Sequence, residues 1–367
     1  MKCKVFCFWG DIYRSLQGGT RGGGELQIAL IAENLARKGH RVLLIDFSVD
    51  KDIEMNAGIS VLSLNQRIKF RFFKFFYFYK MLQTANANFY YGRIRSSIHL
   101  FGYLASRKNG ANFILGLAHD LDTCGFIERY QKFYKQRSFM TFIKHIVHSE
   151  LVFEFLLKRA DFIIAQHNGQ RKKLLNRGIP SWICKNIYDP FTLTKENTRN
   201  DEYTFVGSLD KRKGIDSIAL IVKYCPTSNF KIIGRCRDRY SLDVIEEIKL
   251  LPNVQYLGQL DHQIAKEEVG RSTALISVSL MEGFPNTFIE AWAQGVPVLS
   301  LHVDPDELLQ SHKLGIFCHS SIEYLIESIL QNRIIQFESK KMIDYIRENH
   351  SAKNNISRFL NIIGIDE

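Results

Sequence analysis

One stretch constrains this chain more than any other. Ala274-Leu275-Ile276-Ser277-Val278-Ser279-Leu280 is apolar and β-prone, Glu282-Gly283-Phe284-Pro285-Asn286-Thr287-Phe288-Ile289-Glu290 follows it, and helix-compatible residues continue through Gln294 until Gly295 can end the helix. The pattern predicts strand, tight loop, helix. Pro285 fixes one φ, and Asn286 or Thr287 can accept from the N–H groups of the first turn, which then points at the end of a sheet. Such a helix start suits an anion.

Two carboxylates frame that loop. Glu282, on the rim of the strand, and Glu290, one to two turns into the helix, cannot both face one phosphate, because they would repel it. An ionised carboxylate only accepts hydrogen bonds and a vicinal diol offers two donors, so each Glu matches a sugar ring. A diphosphate at the helix start with a sugar on either side is the outline of a nucleotide sugar. Taken singly, the bland alternative is a solvated Glu282 and a Glu290 that decorates an amphipathic helix; the whole string in its strand-loop-helix setting argues the other way.

At 367 residues the chain fits about two domains of ordinary size. A hydrophobic content of 46% with 24% charged residues describes a soluble globular protein. The seven cysteines are odd in number, scattered and never spaced as C-x-x-C, which argues for a reducing compartment and against a structural zinc site. Met1 to Trp9 is a short apolar start interrupted by Lys2 and Lys4, and it reads as a first β-strand without the features of a cleaved leader. No apolar run is long enough to cross a bilayer, so a cytoplasmic location is expected. The formal charge of +11 permits nucleic acid, anionic lipid or an anionic substrate as partner, and the distribution of the bases decides among them.

In chain order, Lys4 to Gly10 is β-rich, a glycine-laden loop runs to Gly24, a helix spans about Glu25 to Lys38 with Gly39 as its stop, and His40 to Phe47 is the next buried strand. A strand-helix-strand unit points to a parallel sheet. The loop Gly18-Gly19-Thr20-Arg21-Gly22-Gly23-Gly24 holds no G-x-G-x-x-G register and no P-loop, which excludes both phosphate fingerprints. Further strands are expected over Ala87 to Gly92, Asn112 to Asp120, Asp161 to Gln166 and Trp182 to Ile187. Thr192 to Glu202 is polar and irregular, a natural hinge. A second set of strands follows over Tyr203 to Gly207, Phe230 to Gly234, Val254 to Gly258 and Val296 to Leu301, with carboxyl-terminal helices over Ser321 to Arg333 and Phe337 to Phe359. His119 stands at a strand's carboxyl end, which faces the ligand crevice of an open α/β sheet. Asp120-Leu121-Asp122 copies a metal-binding D-x-D only superficially and reads as a loop start.

The carboxylate pair with seven residues between, followed by Ala291, Ala293, Gly295, Pro297 and Val298 in an Ala-x-Ala-x-Gly-x-Pro-Val pattern, resembles the signature of family-4 retaining glycosyltransferases of the GT-B fold. Gly23-Gly24-Glu25 and Gly39-His40-Arg41-Val42 resemble the family's amino-terminal loop and strand entry, and Asn186-Ile187-Tyr188-Asp189-Pro190 its linker between domains. The resemblance implies that Glu282 touches the donor sugar, that Glu290 binds the ribose, and that the backbone of Gly283, Phe284, Pro285, Asn286 and Thr287 meets sugar and phosphate. It implies Gly23 and Gly24 near the phosphates and acceptor, His119 on the transferred sugar, and backbone near Gly258 on the base. After the strand ending at Gly207 the family places an Arg and then a Lys on the diphosphate. Lys213 matches the Lys. Ser208 stands where the Arg would be, so the second charge must come from Lys211, Arg212 or nowhere.

The stretch from Arg67 to Leu82 interleaves Lys and Arg with eight aromatic residues and contains no acid, which suits the headgroup zone of an anionic membrane. A helix buried on most sides with snorkelling bases fits the composition equally. Arg129 to Lys144 is a second basic and aromatic stretch. No nucleic-acid module is present, so nucleic acid is not expected as a partner.

The reading is an α/β chain of GT-B type: two Rossmann-like parallel-sheet domains facing across a cleft, with a carboxyl-terminal helix crossing back to the first. Residues 1–190 form an acceptor-binding domain, 191–202 a hinge, 203–345 a nucleotide-sugar-binding domain and 346–367 the crossover helix. The expected activity is a metal-independent retaining glycosyltransferase of the hexosyl or N-acetylhexosaminyl class, taking a UDP- or GDP-sugar to a glycan or lipid-linked acceptor in bacterial surface polysaccharide synthesis. No cofactor or metal is expected, and an anionic inner-membrane surface is a candidate partner through residues 67–82. The competing readings are a nucleotide-sugar epimerase and a non-catalytic, membrane-associated partner subunit.

Overall fold

The computed structural model describes residues 2–19, 22–55, 58–67, 73–125, 127–129, 150–188 and 200–365. The chain divides into two compact units, Met1–Ile187 together with Ala352–Glu367, and Tyr188–Ser351. Each is built on one sheet with helices packed against it.

The first unit holds an eight-stranded sheet: β1 (Val5–Gly10), β2 (Arg41–Asp46), β3 (Ile53–Met55), β4 (Ile59–Ser63), β5 (Phe89–Arg93), β6 (Asn112–Gly116), β7 (Phe162–Ala165) and β8 (Trp182–Ile183), in the order β3-β4-β2-β1-β5-β6-β7-β8. Every pairing is parallel except β3 with β4. Central parallel strands are covered on both faces, so they read as continuous apolar runs; Phe6, Cys7, Phe8 and Trp9 of β1 and Val42 to Ile45 of β2 are all buried. The helix Gly23–Arg37 buries Ile28, Ala32 and Leu35, and its Gln27 side chain donates to Ile187 O at 2.9 Å and accepts from Ile187 N at 2.7 Å.

The second unit holds six parallel strands, β9 (Glu202–Val206), β10 (Asn229–Ile233), β11 (Val254–Gly258), β12 (Ala274–Ser277), β13 (Val298–Ser300) and β14 (Gly315–Phe317), in the order β11-β10-β9-β12-β13-β14. One core forms beneath β9, β10 and β12 from Phe205, Ile218, Ile232 and Ile276. Another gathers Phe284, Phe288 and Trp292 with Tyr345 and Ile346.

Three expectations are corrected. The helix read over Phe337 to Phe359 is two helices, Ser339–Asn349 and Ala352–Ile362, interrupted where Tyr188 N donates to His350 O at 2.9 Å and Tyr188 pairs with Ser351 as a bridge. The second helix belongs to the first unit, where Phe359 packs on Phe6 and Tyr91. The strand expected over Trp182 to Ile187 is only two residues long, because Asn186 is turned to side chains: its Oδ1 accepts from Arg93 Nη2 at 2.8 Å and Gln166 Nε2 at 3.1 Å. The strand expected to reach Asp120 ends at Gly116, and His119 instead caps a 3-10 turn, Asp120–Thr123. The hinge falls largely on residues 189–199, and most of the Arg129 to Lys144 stretch on 130–149, outside the described residues.

Candidate active site

In the second sheet, the unit's first strand, β9, lies between β10 and β12, and the chain fills one side before crossing to the other. That is a topological switch point, and in open α/β sheets the ligand crevice opens beyond the carboxyl ends of the strands that flank it. The loops leaving β9 and β12 are the ones that carry the predicted basic turn and the predicted carboxylate loop.

The basic turn is tied down from both ends. Lys211–Lys213 form one 3-10 turn whose N-cap is Asp210, with the Asp210 carboxylate accepting from Lys213 N at 3.0 Å. Gly214 closes it at φ +78°, and a Cβ there would overlap the backbone carbonyl of Val278, so only glycine lets the turn lie this close to the segment after β12. Leu280 N donates to Arg212 O at 3.0 Å across the same junction. On this base the Lys213 ammonium forms an ion pair with the Glu282 carboxylate, whose side chain is 18% exposed. Arg212 reaches back to Asp210 at 3.1 Å, and Lys211 lies over the Tyr240 ring at 4.2 Å.

The carboxylate loop leads into the helix Asn286–Ala293. The expectation that Asn286 or Thr287 caps this helix is corrected: the N-cap is Pro285, which has no side-chain acceptor, and no side chain caps it. Proline at the cap sets the entry angle, and Phe284, Phe288 and Trp292 hold the helix by edge-to-face ring contacts at 6.4 and 5.5 Å. Gly283, Phe284 and Pro285 are buried, and Asn286 and Thr287 are partly exposed. Glu290 lies in this helix with its side chain 14% exposed, and its Oε1 is 2.7 Å from His262 Nε2. His262 opens the helix His262–Gly270 that follows β11. Glu282 therefore meets the loop after β9 and Glu290 meets the element after β11, on the same half of the sheet's carboxyl edge.

Three glycines join the strand ends on that half. Gly234 N donates to Gly258 O at 2.7 Å, and a Cβ on Gly234 would overlap Gly207 O. Tyr256 Oη donates to Gly234 O at 3.0 Å, and burial pushes its phenol up to about 12, so it stays a donor at neutral pH. Ser208 accepts from Arg237 Nε at 3.2 Å.

The remaining predicted residues lie in the first unit. Gly23 and Gly24 are the first two residues of the helix Gly23–Arg37, with Gly24 packed against Ile94. His119 Nδ1 accepts from Leu121 N at 3.2 Å, which puts the ring proton on Nε2 in the neutral form. The Asp122 carboxylate accepts from Ala118 N and His119 N, both at 2.9 Å, and pairs with Arg95 at 3.1 Å, while Asp120 meets His167 Nε2 at 2.9 Å. Both acids of the D-x-D therefore have protein partners.

Sequence reasoning missed His262 and the contact of Arg237 with Ser208. Nothing in the spacing marks His262, 28 residues before Glu290. Arg237 left a signal in the run Arg235-Cys236-Arg237-Asp238-Arg239, directly after a predicted strand.

Residues 201–332 match the family model described as glycosyl transferases group 1. A human phosphatidylinositol N-acetylglucosaminyltransferase chain is 24% identical over 337 residues, covering 87% of this chain and 66% of that protein. Across the curated relatives it matches, this chain spans from 42% to 66% of their length. Among solved structures, a lipopolysaccharide outer core galactosyltransferase in its apo form aligns with a TM-score of 0.64 at 16% identity, over 98% of this chain and 99% of that one. The Anabaena HepE structure with UDP and glucose aligns with a TM-score of 0.68 at 15% identity, over 99% of both chains. These likenesses are of fold, and the fold is that of GT-B glycosyltransferase structures.

Proposed function

We propose, from the premise that residues 201–332 carry a glycosyl transferases group 1 domain of GT-B type, that this chain is a family-4 retaining glycosyltransferase using a nucleotide-sugar donor. The observation that carries the reading is the meeting of Lys213 with Glu282 at the switch point of the second sheet. A cation on a braced turn and a carboxylate facing it are what a departing diphosphate and a sugar ring respectively call for.

The chemical difficulty is that a diphosphate leaves with its bonding pair while the sugar becomes oxocarbenium-like. Lys213 and the start of the helix Asn286–Ala293 stabilise the negative charge as it grows, and a preorganised donor of this kind contributes roughly 10²–10³ in rate. Glu282 accepts from donor-sugar hydroxyls and fixes the ring for attack. Glu290, steadied by His262, takes the ribose diol, and backbone near Gly258 takes the base. The acceptor hydroxyl attacks the face the diphosphate leaves from, its oxygen bonds to the anomeric carbon, and its proton passes to the leaving phosphate. The charge work falls to side chains, and no metal is called for. Gly23, Gly24 and His119 are assigned to acceptor and transferred sugar.

A lipid-linked acceptor in surface polysaccharide synthesis is the setting that fits best. It is supported by the name of the human relative, which contains a phosphatidylinositol acceptor, by the lipopolysaccharide galactosyltransferase among the fold neighbours, and by the aromatic-basic helix Lys74–Thr84. No helix among the described residues is long and apolar enough to cross a membrane, so the attachment proposed is to the surface.

The test is a thermal-shift screen of UDP- and GDP-sugars, followed by turnover of each hit with and without acceptor and assignment of the product anomer. Stabilisation by one donor and an acceptor-dependent product of retained configuration is the expected result. Product formed from donor alone identifies an epimerase instead, and no response to any donor removes the enzyme reading.

A further inference from the structure

We infer that Arg237 is a phosphate-binding residue of the second unit's site, poised by Ser208, and that it supplies the second cation on the diphosphate; this rests on the nucleotide-sugar reading above. The loops after β9 and β10 are joined backbone to backbone. Leu209 N donates to Arg235 O at 2.9 Å, Arg237 N donates to Leu209 O at 3.0 Å, and Gly234 packs so closely on Gly207 that no Cβ fits between them. This pairing carries Arg237 from its own loop onto the loop that holds Ser208 and leads to Lys213.

The side chain is held in a particular way. Arg237 Nε donates to Ser208 Oγ at 3.2 Å, and this is its hydrogen bond among the described residues. A guanidinium tethered through Nε keeps its two terminal nitrogens as a parallel fork, the geometry that matches two oxygens of one phosphate. Ser208, having accepted from Nε, retains its own O–H as a further donor to the same group.

The neighbouring acids are committed elsewhere. Asp238, next in sequence, caps the helix Arg239–Ile248 by accepting from Ser241 N at 2.8 Å and Ser241 Oγ at 2.7 Å, and these bonds hold its carboxyl below the usual range. Asp216 accepts from Tyr240 Oη, Asp210 holds Arg212, and Glu282 holds Lys213. Among the described residues no carboxylate pairs with Arg237. An exposed, tethered, unneutralised guanidinium beside a braced lysine turn is complementary to a diphosphate, whose two phosphates need more than the single ammonium of Lys213.

Isothermal titration of the full chain with UDP and GDP, and with uridine and guanosine as phosphate-free controls, tests this. Arg237→Ala is expected to weaken the preferred nucleoside diphosphate at least tenfold, to leave the matching nucleoside unchanged, and to lose less at 1 M than at 50 mM salt. Arg237→Lys, which keeps the charge without the fork, is expected to recover part of the loss. Equal diphosphate affinity in wild type and Arg237→Ala overturns the assignment of Arg237 alone. A parallel loss of nucleoside binding also overturns it, since it marks a disturbed fold. Wild-type protein that binds neither diphosphate overturns the nucleotide-sugar reading itself, and this inference with it.

Discussion

The Lys213 ammonium and the Glu282 carboxylate are ion-paired between the loop after β9 and the loop after β12. The pair is partly exposed, so its own contribution to stability is small, and its consequence lies in competition. A diphosphate that takes Lys213 must draw it from Glu282, and a sugar that takes Glu282 releases Lys213 to the phosphate. The two substitutions should therefore part company. Lys213→Ala is expected to lower kcat about 100-fold or more. Glu282→Gln is expected to bind a nucleoside diphosphate a few-fold more tightly than wild type while losing transfer. Titration calorimetry beside steady-state turnover checks both, and equal effects of the two changes on diphosphate affinity would contradict the competition.

His262 and Glu290 face each other at 2.7 Å across the elements after β11 and β12. An imidazole on one carboxylate oxygen fixes the plane of the other, which is what pairing with a ribose diol requires. Losing one such bond costs about 1 kcal/mol, so His262→Ala is expected to weaken nucleoside and nucleoside diphosphate alike about fivefold. Inorganic pyrophosphate, which has no ribose, is expected to bind as to wild type. A loss of pyrophosphate binding of the same size would place His262 elsewhere in the site.

Much of the second unit was legible in the sequence because its signals are local. Strand, loop and helix around Glu282 and Glu290 are encoded by consecutive residues, and so is the basic turn ending at Gly214. What escaped is non-local. His262 meets Glu290, and Arg237 meets Ser208, only because β10 is laid beside β9 and β11 beside β10, and no one-dimensional spacing reports that. The short strands β3, β4 and β14 escaped for a related reason, being three to five residues held by their neighbours rather than by a period of their own. The break at His350 and Ser351 was hidden because helical spacing of apolar residues persists across it, while a backbone bond from Tyr188 ends the first helix.

Gly214 and Gly110 separate two costs. Both have positive φ, +78° and +60°, but a Cβ on Gly214 would overlap Val278 O, whereas Gly110 has open space around it. Gly110→Ala is expected to destabilise by about 1 kcal/mol from backbone strain alone. Gly214→Ala must add displacement of the turn from the segment after β12, and is expected to cost about 2 kcal/mol more and to separate Lys213 from Glu282. Chemical denaturation of the two variants reads the difference. Equal losses would show that the turn does not need that close approach.

Asp304 gives stability a pH dependence of definite sign. Its Oδ1 accepts from Leu309 N at 2.9 Å, its Oδ2 is buried, and burial pushes the carboxyl up to about 6. A raised folded-state pKa means stability is fully present below the ordinary carboxylate value near 4 and is lost as pH rises through about 6. Asp304→Asn stays neutral throughout. It is expected to gain on wild type between pH 4 and pH 7 by about 1 kcal/mol, allowing for solvent screening, and to hold that gain above pH 7. Denaturant midpoints across that range test the slope, and a constant difference would assign the buried charge no role.

Of the aromatic and basic stretch 67–82, residues 68–72 lie outside the described residues, and the helix Lys74–Thr84 is buried on one face and exposed on another. Phe78, Met81 and Leu82 are buried in the first unit, which anchors the helix, while Phe75 and Phe76 are 56% and 61% exposed beside Lys74 and Lys80. Phe75 stacks on Phe101 at 5.7 Å, so part of the exposed aromatic surface is already ordered. Exposed rings flanked by bases insert at the boundary of headgroup and acyl chain and are drawn there by anionic lipid. Flotation with vesicles containing about 30% anionic lipid, a fraction of the order that gives a strong surface potential, is expected to carry the protein upward at low salt and to release it as salt rises. Phe75→Ser with Phe76→Ser is expected to reduce flotation about tenfold with only a small drop in melting temperature, because neither ring is in the core and only surface ring contacts such as Phe75 on Phe101 are lost. Flotation that survives the double change but falls with salt would assign attachment to the bases alone, and no flotation at low salt would end the membrane proposal.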